Sequence, residues 1–150
     1  MNAQLADRGS AHALRVAVVD DEASVRKALS RLLRAAGFES RPFATGHEFL
    51  EACRREPLDC VVLDMHMPEM SGLEILRRMN DSGFFLPMVL ITADDDESGR
   101  CQRLLDEGAT AWLRKPVDGP QLVQSLQRAV LVARSVHAMN AARLTAFVAP

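Results

Sequence analysis

Cys60-Val61-Val62-Leu63-Asp64 is a short apolar run that stops on a carboxylate. A continuous apolar run with β-branched residues predicts a strand buried on both faces, the central strand of a parallel sheet. Ending it on Asp64 places an acid at the carboxyl edge of that sheet, where open α/β folds gather their ligands. The next residues, Met65 to Gly72, form a loop marked by Pro68 and Gly72. Nothing in that loop is built to bury a charge, so Asp64 is read as presented to something outside.

The same pattern recurs along the chain. Leu14 to Val19 predicts a second buried strand, and it ends on Asp20-Asp21-Glu22. From Ser24 the period changes: Val25, Ala28, Leu29, Leu32, Leu33 and Ala36 mark one face of a helix that Gly37 closes. Phe38 to Phe43 alternates and carries Pro42, which suits an edge strand. Thr45 and Glu48 are spaced as a capping box for a short helix with Phe49, Leu50 and Cys53 on its apolar side. Leu73 to Asn80 is the next helix, Met88 to Thr92 the next buried strand. The acids Asp94 to Glu97 are read as complementing the dipole of the helix that follows, rather than as a metal site. Thr110 to Arg114 is the last strand and runs into Lys115-Pro116, and Gly119 or Pro120 opens a final helix. Strand and helix alternate five times. Such alternation predicts an α/β fold of right-handed crossovers, a five-stranded parallel sheet with helices on both faces and an extended C-terminal helix.

The chain has 150 residues, enough for one well-cored domain. A net charge of −2 gives no overall footprint for nucleic acid. Cys53, Cys60 and Cys101 lack zinc spacing and read as small core residues in a reducing compartment. No run is long enough to span a membrane, and Met1 to His12 lacks the apolar core of a signal peptide. A cytoplasmic location is the expectation.

In a parallel sheet the strand ends share one edge. This sequence therefore collects Asp20, Asp21, Asp64, Thr92 and Lys115 there. Clustered carboxylates repel, and an all-oxygen donor set suits Mg2+, which keeps open positions for phosphoryl oxygens. Lys115 is a point charge for another phosphoryl oxygen, and the Thr92 hydroxyl can donate to a third. A carboxylate can then serve as nucleophile and form an aspartyl phosphate.

Val18 to Glu22, Val62 to Gly72, Leu90 to Ala93 and Trp112 to Pro116 together resemble the receiver domain of bacterial two-component response regulators. The resemblance covers roughly Leu14 to Leu131 and implies a flavodoxin-like (βα)5 fold. It implies that Asp64 accepts phosphoryl from a histidine kinase or histidine phosphotransfer protein. It further implies that Asp20, Asp21, Asp64 and the backbone carbonyl of His66 hold Mg2+, and that Lys115 and Thr92 contact the phosphoryl group. Thr92 and the aromatic at Trp112 would move on activation, and the Lys115–Pro116 bond would be cis. Trp112 departs from the usual Tyr or Phe, so a fixed packing role stands beside the switch role. His66 and Asp94 fall where the family tunes dephosphorylation.

The resemblance describes a signalling domain that assists its own phosphorylation and dephosphorylation, not an enzyme with a separate substrate. Residues 1–13 read as a leader, 14–131 as the receiver and 132–150 as a helical extension or linker. From Gln121 to Val148 there is no acid, while Arg128, Arg134 and Arg143 are present. Leu122, Leu126, Ala129, Ala133 and Val136 form one apolar stripe there, and Val123, Val130 and Leu131 a second. Two apolar sides suggest a homodimer or an effector domain through the last strands and this helix, or a second side packed on the neighbouring helix. Direct binding of nucleic acid or membrane is not expected. The alternatives are the receiver fragment of a DNA-binding transcriptional regulator, and a phosphatase of the haloacid-dehalogenase type. The second is disfavoured because Asp20 and Asp21 are adjacent rather than spaced as DxD.

Overall fold

A computed structural model of the chain describes residues 12–93 and 99–148, with side chains to residue 142. The expectations for Met1 to Ala11 and for the acids Asp94 to Glu97 lie outside the described residues. Strands β1 (Arg15–Val19), β2 (Glu39–Phe43), β3 (Cys60–Asp64), β4 (Met88–Thr92) and β5 (Ala111–Arg114) alternate with helices. The helices are α1 (Ala23–Ala35), α2 (Gly46–Arg55), α3 (Gly72–Asp81), α4 (Arg100–Asp106) and α5 (Gly119–Val148). All pairings are parallel, in the order β2-β1-β3-β4-β5. The strand carrying Asp64 is thus the middle one, and both β3 and β4 are buried along their whole length.

The fold closes on two apolar layers, one on each sheet face. One joins Val61, Leu63 and Leu90 to Phe49, Ile75 and Leu104. The other joins Val16, Val62 and Ile91 to Leu33, Leu122 and Leu126. Alternate residues of a single strand feed opposite layers, which is why the central strands have no polar positions before their ends. Pro42 sits on the edge strand β2, where Val18 is its register partner.

Local signals fix the helix starts. The Thr45 hydroxyl accepts from the Glu48 N–H at 3.1 Å, and Ser71 does the same for Glu74 at 3.1 Å. Asp118 caps α5 by accepting from the Gln121 N–H at 3.1 Å. Gly37, with φ +93°, lies just beyond α1.

Two apolar patterns differ from the sequence reading. On α1, Ala28 and Ala36 are exposed, and Leu29 and Leu33 carry the packing. On α5, Leu122, Leu126, Ala129 and Val130 are buried, whereas Leu131, Val132, Val136 and Met139 are 50–66% exposed. The stripe expected to run through Val136 leaves the core because the helix is longer than the sheet it packs on.

Candidate functional site

β1 and β3 are neighbours in register, with Val19 opposite Leu63. The residues that follow these partners, Asp20 and Asp64, therefore emerge side by side. Asp20 is 1% exposed and Asp64 5% exposed, while Asp21 is exposed. One carboxylate oxygen from each of Asp20, Asp21 and Asp64 lies within 4.8 Å of the others. Lys115 comes from the loop after β5 and places Nζ 3.4 Å from Asp20 Oδ2 and 3.7 Å from Asp64 Oδ2. Its backbone N–H donates to the Thr92 carbonyl at 2.8 Å, which ties the β4 and β5 ends together. Thr92 itself is buried at the end of β4. The Lys115–Pro116 peptide bond is cis.

The electrostatics follow from this crowding. Burial holds the Asp64 carboxyl above its ordinary value of 3.8. The His66 N–H, which donates to Asp64 Oδ1 at 3.1 Å, pulls the other way. Asp20 raises it further, Lys115 lowers it, and Asp21 raises it again. Three carboxylates with one ammonium leave negative charge in excess. The donor set is all oxygen, partly buried and open on the Asp21 side, which fits a hard divalent cation such as Mg2+.

The acceptor loop is held closely from behind. The Gly72 N–H donates to the Met65 carbonyl at 3.2 Å. A Cβ at Gly72 would stand 3.2 Å from the Asp64 carbonyl oxygen and from Met65 Cα. A side chain there would press on the backbone of the acceptor loop, and glycine lets α3 begin this near the strand end without displacing it.

Among the residues singled out from the sequence, Asp20, Asp21, Asp64 and Lys115 converge, with Thr92 at the same sheet edge. Trp112 lies on β5 with Leu90 as its register partner, partly buried against the layer that holds Leu90. His66 is exposed, and Asp94 falls outside the described residues. Sequence reasoning missed Arg26. Its Nη1 donates to the Asp20 backbone carbonyl at 2.8 Å. A basic residue one turn into the helix after an acidic pair was the available signal.

Comparison with known proteins identifies the family and the fold. The family model for the response regulator receiver domain matches residues 16–127. The transcriptional regulatory protein TdiR of Thauera aromatica is 35% identical over 121 residues, covering 81% of this chain and 53% of TdiR. The response regulator MprA of Mycolicibacterium vanbaalenii is 39% identical over 103 residues, covering 69% of this chain and 44% of MprA. The chain thus spans about half the length of these relatives. Among solved structures, the response regulator StyR superposes with a TM-score of 0.77 at 36% identity, covering 89% of this chain and 67% of StyR. A response regulator receiver domain protein from Clostridium thermocellum gives 0.75 at 26% identity, covering 82% of this chain and 98% of that one.

Proposed function

Because the chain belongs to the receiver-domain family of two-component response regulators, we propose that Asp64 is its phosphoacceptor. The observation that carries this is the ammonium of Lys115 set between Asp20 and Asp64, with Asp21 beside them. A carboxylate oxygen of Asp64 attacks the phosphorus of a phosphohistidine on a histidine kinase or phosphotransfer protein. An O–P bond forms, the N–P bond breaks, and the imidazole leaves with the electron pair. Asp20, Asp21, Asp64 and the His66 backbone carbonyl would hold Mg2+, which supplies charge neutralisation for the carboxylates and the phosphoryl oxygens. Lys115 takes a phosphoryl oxygen as an ion pair, and the Thr92 hydroxyl donates to another.

The phosphoryl group then biases a two-state equilibrium. Thr92 and Trp112 are the residues assigned to report it, since both lie on the last two strands. Output passes through those strands and α5, to a second copy or an effector domain, without direct contact of this chain with nucleic acid. Residues 14–131 form the receiver, and 132–150 is a helical extension or linker, helical as far as Val148. The setting is cytoplasmic. Among the described residues, no helix is long and apolar enough to cross a membrane.

The test is intact mass after incubation with Mg2+ and acetyl phosphate, with Asp64→Asn as control and Trp112 fluorescence followed in parallel. One added phosphoryl group, absent in Asp64→Asn, is expected. Equal labelling of both proteins would remove Asp64 from the role.

A further inference from the structure

Asp20 is held at every polar atom it has. Its N–H donates to the Phe43 carbonyl at 3.2 Å. Its Oδ1 accepts from the Glu22 N–H at 2.9 Å, and its Oδ2 faces Lys115 Nζ at 3.4 Å. The remaining atom, the backbone carbonyl oxygen, accepts from Arg26 Nη1 at 2.8 Å. Three of these partners come from backbone amides and carbonyls or from Lys115, which also serves Asp64. Arg26 alone reaches back from α1 by its side chain to pin the turn between β1 and α1. Its own N–H donates to the Glu22 carbonyl at 3.0 Å, so the same residue starts the helix and anchors the strand end.

We propose that Arg26 is a positioning residue for the divalent cation, fixing Asp20 through its backbone carbonyl. This rests on the reading of Asp20 as a metal ligand. A carboxylate ligand must be placed to within a fraction of an ångström before the cation arrives, or binding has to supply the ordering. Asp21 is exposed, so the pre-formed part of the site is Asp20 and Asp64. The His66 and Glu22 amides orient their side chains, and Arg26 orients the backbone on which Asp20 rides.

Charge alone predicts the opposite outcome. A guanidinium is always protonated, and a fixed cation beside a cation site repels its ligand. If Arg26 acted only as a nearby charge, its removal would tighten Mg2+ binding. If it positions Asp20, its removal weakens Mg2+ binding even though a repulsive charge is gone. The sign of the change separates the two roles.

The experiment is calorimetric titration of the full chain with Mg2+, with metal-free melting temperatures measured alongside. Arg26→Met keeps the length of the stem and loses the donor. It should raise the Mg2+ dissociation constant about tenfold, the lower end for residues that support a ligand from behind. Arg26→Lys, which can still offer one donor to the carbonyl, should recover much of that loss. At saturating Mg2+ the phosphorylation rate of Arg26→Met with acetyl phosphate should return to within about twofold of wild type, as expected for a purely ground-state binding effect. Should Arg26→Met lower the metal-free melting temperature, Arg26→Gln, with a donor too short to reach, takes its place. Unchanged or tighter Mg2+ binding in a folded variant overturns the proposal. Failure of the wild-type chain to bind Mg2+, or binding undiminished in Asp20→Asn, overturns the reading of the site itself, and the role of Arg26 falls with it.

Discussion

Replacing Asp64 by Asn should stabilise the metal-free protein at neutral pH, although it destroys the proposed phosphoacceptor. The magnitude follows from the distances. Asp20 and Asp64 carry oxygens no more than 4.8 Å apart, worth at least about 3.5 kcal/mol of repulsion at an effective dielectric of 20. Lys115 Nζ, 3.7 Å from Asp64 Oδ2, returns about 4.5 kcal/mol of attraction by the same measure. Asp21 adds repulsion that water screens. The pair interactions nearly cancel, so the cost that remains is burial of the charge, of the order of several kcal/mol per ion. The charge-assisted bond from the His66 N–H offsets roughly 1.5–3 kcal/mol of it. The balance is a penalty of about 2 kcal/mol, which Asn avoids while its oxygen still accepts the His66 N–H. For a chain of this size that corresponds to a melting temperature higher by about 6 °C.

The pH dependence has a definite sign. The folded carboxyl of Asp64 titrates above 3.8, so the folded state binds the proton more tightly than the unfolded chain. The penalty is complete above the folded pKa and fades as pH falls through it toward 3.8. The gap between variant and wild type should therefore be widest at pH 7 and shrink on acidification. Adding Mg2+ should narrow it too, by stabilising the wild type more than the variant, which has lost one of the carboxylate ligands. Differential scanning calorimetry at several pH values, with EDTA or with Mg2+, gives all three readings. A variant no more stable than wild type at pH 7, or a gap that widens in acid, would refute the reasoning.

Lys115→Met removes the ammonium beside Asp20 and Asp64. Mg2+ should bind several-fold tighter as a repulsive charge goes, while phosphorylation slows by about a hundredfold; metal titration and phosphorylation kinetics check the two halves. Gly72→Ala puts a Cβ 3.2 Å from two backbone atoms of the acceptor loop. It should cost about 1–3 kcal/mol in urea unfolding and slow phosphorylation, and a variant as stable and as fast as wild type would show that the loop yields freely. The thiols of Cys53 and Cys60 are pushed up to about 12 by burial. Both should resist iodoacetamide at pH 8 until the chain unfolds, as read by peptide mass mapping.

Residues whose role depends on their own strand are legible in the sequence. A buried run ending in a polar group announces both an inner strand and a polar residue at the carboxyl edge of the sheet, and Asp20, Asp64 and Thr92 stand there. Lys115 follows because a parallel sheet sends all such ends to one edge. Residues whose role depends on a partner far away are not legible. Asp59 is buried and accepts the Arg15 N–H at 2.7 Å across 44 residues of sequence, and it looks like an ordinary loop acid in the linear chain. Gly72 reads as a loop glycine, and only the fold presses α3 against Met65. Arg26 is marked only by its place one turn after the acidic pair, because periodicity reports the face a residue occupies and not how far a long side chain reaches back. On α5 the stripe from Leu122 to Ala129 is core as read, but Val130, read on the second side, is buried with it, and only the extent of the sheet decides where the stripe stops being core.

The unbroken run of α5 has a mechanical consequence. Thirty residues of helix make a rod about 45 Å long, and Val130 is the last buried residue among those whose side chains are described, about 27 Å before the helix end. A tilt of about 5° at the gripped end, too small to unseat Leu122 or Leu126, displaces the far end by about 2 Å over that length. The helix trades angle for distance, as the long arm of a balance does. If phosphorylation rearranges the ends of β4 and β5, as proposed above, this geometry would enlarge the movement at the outer turns.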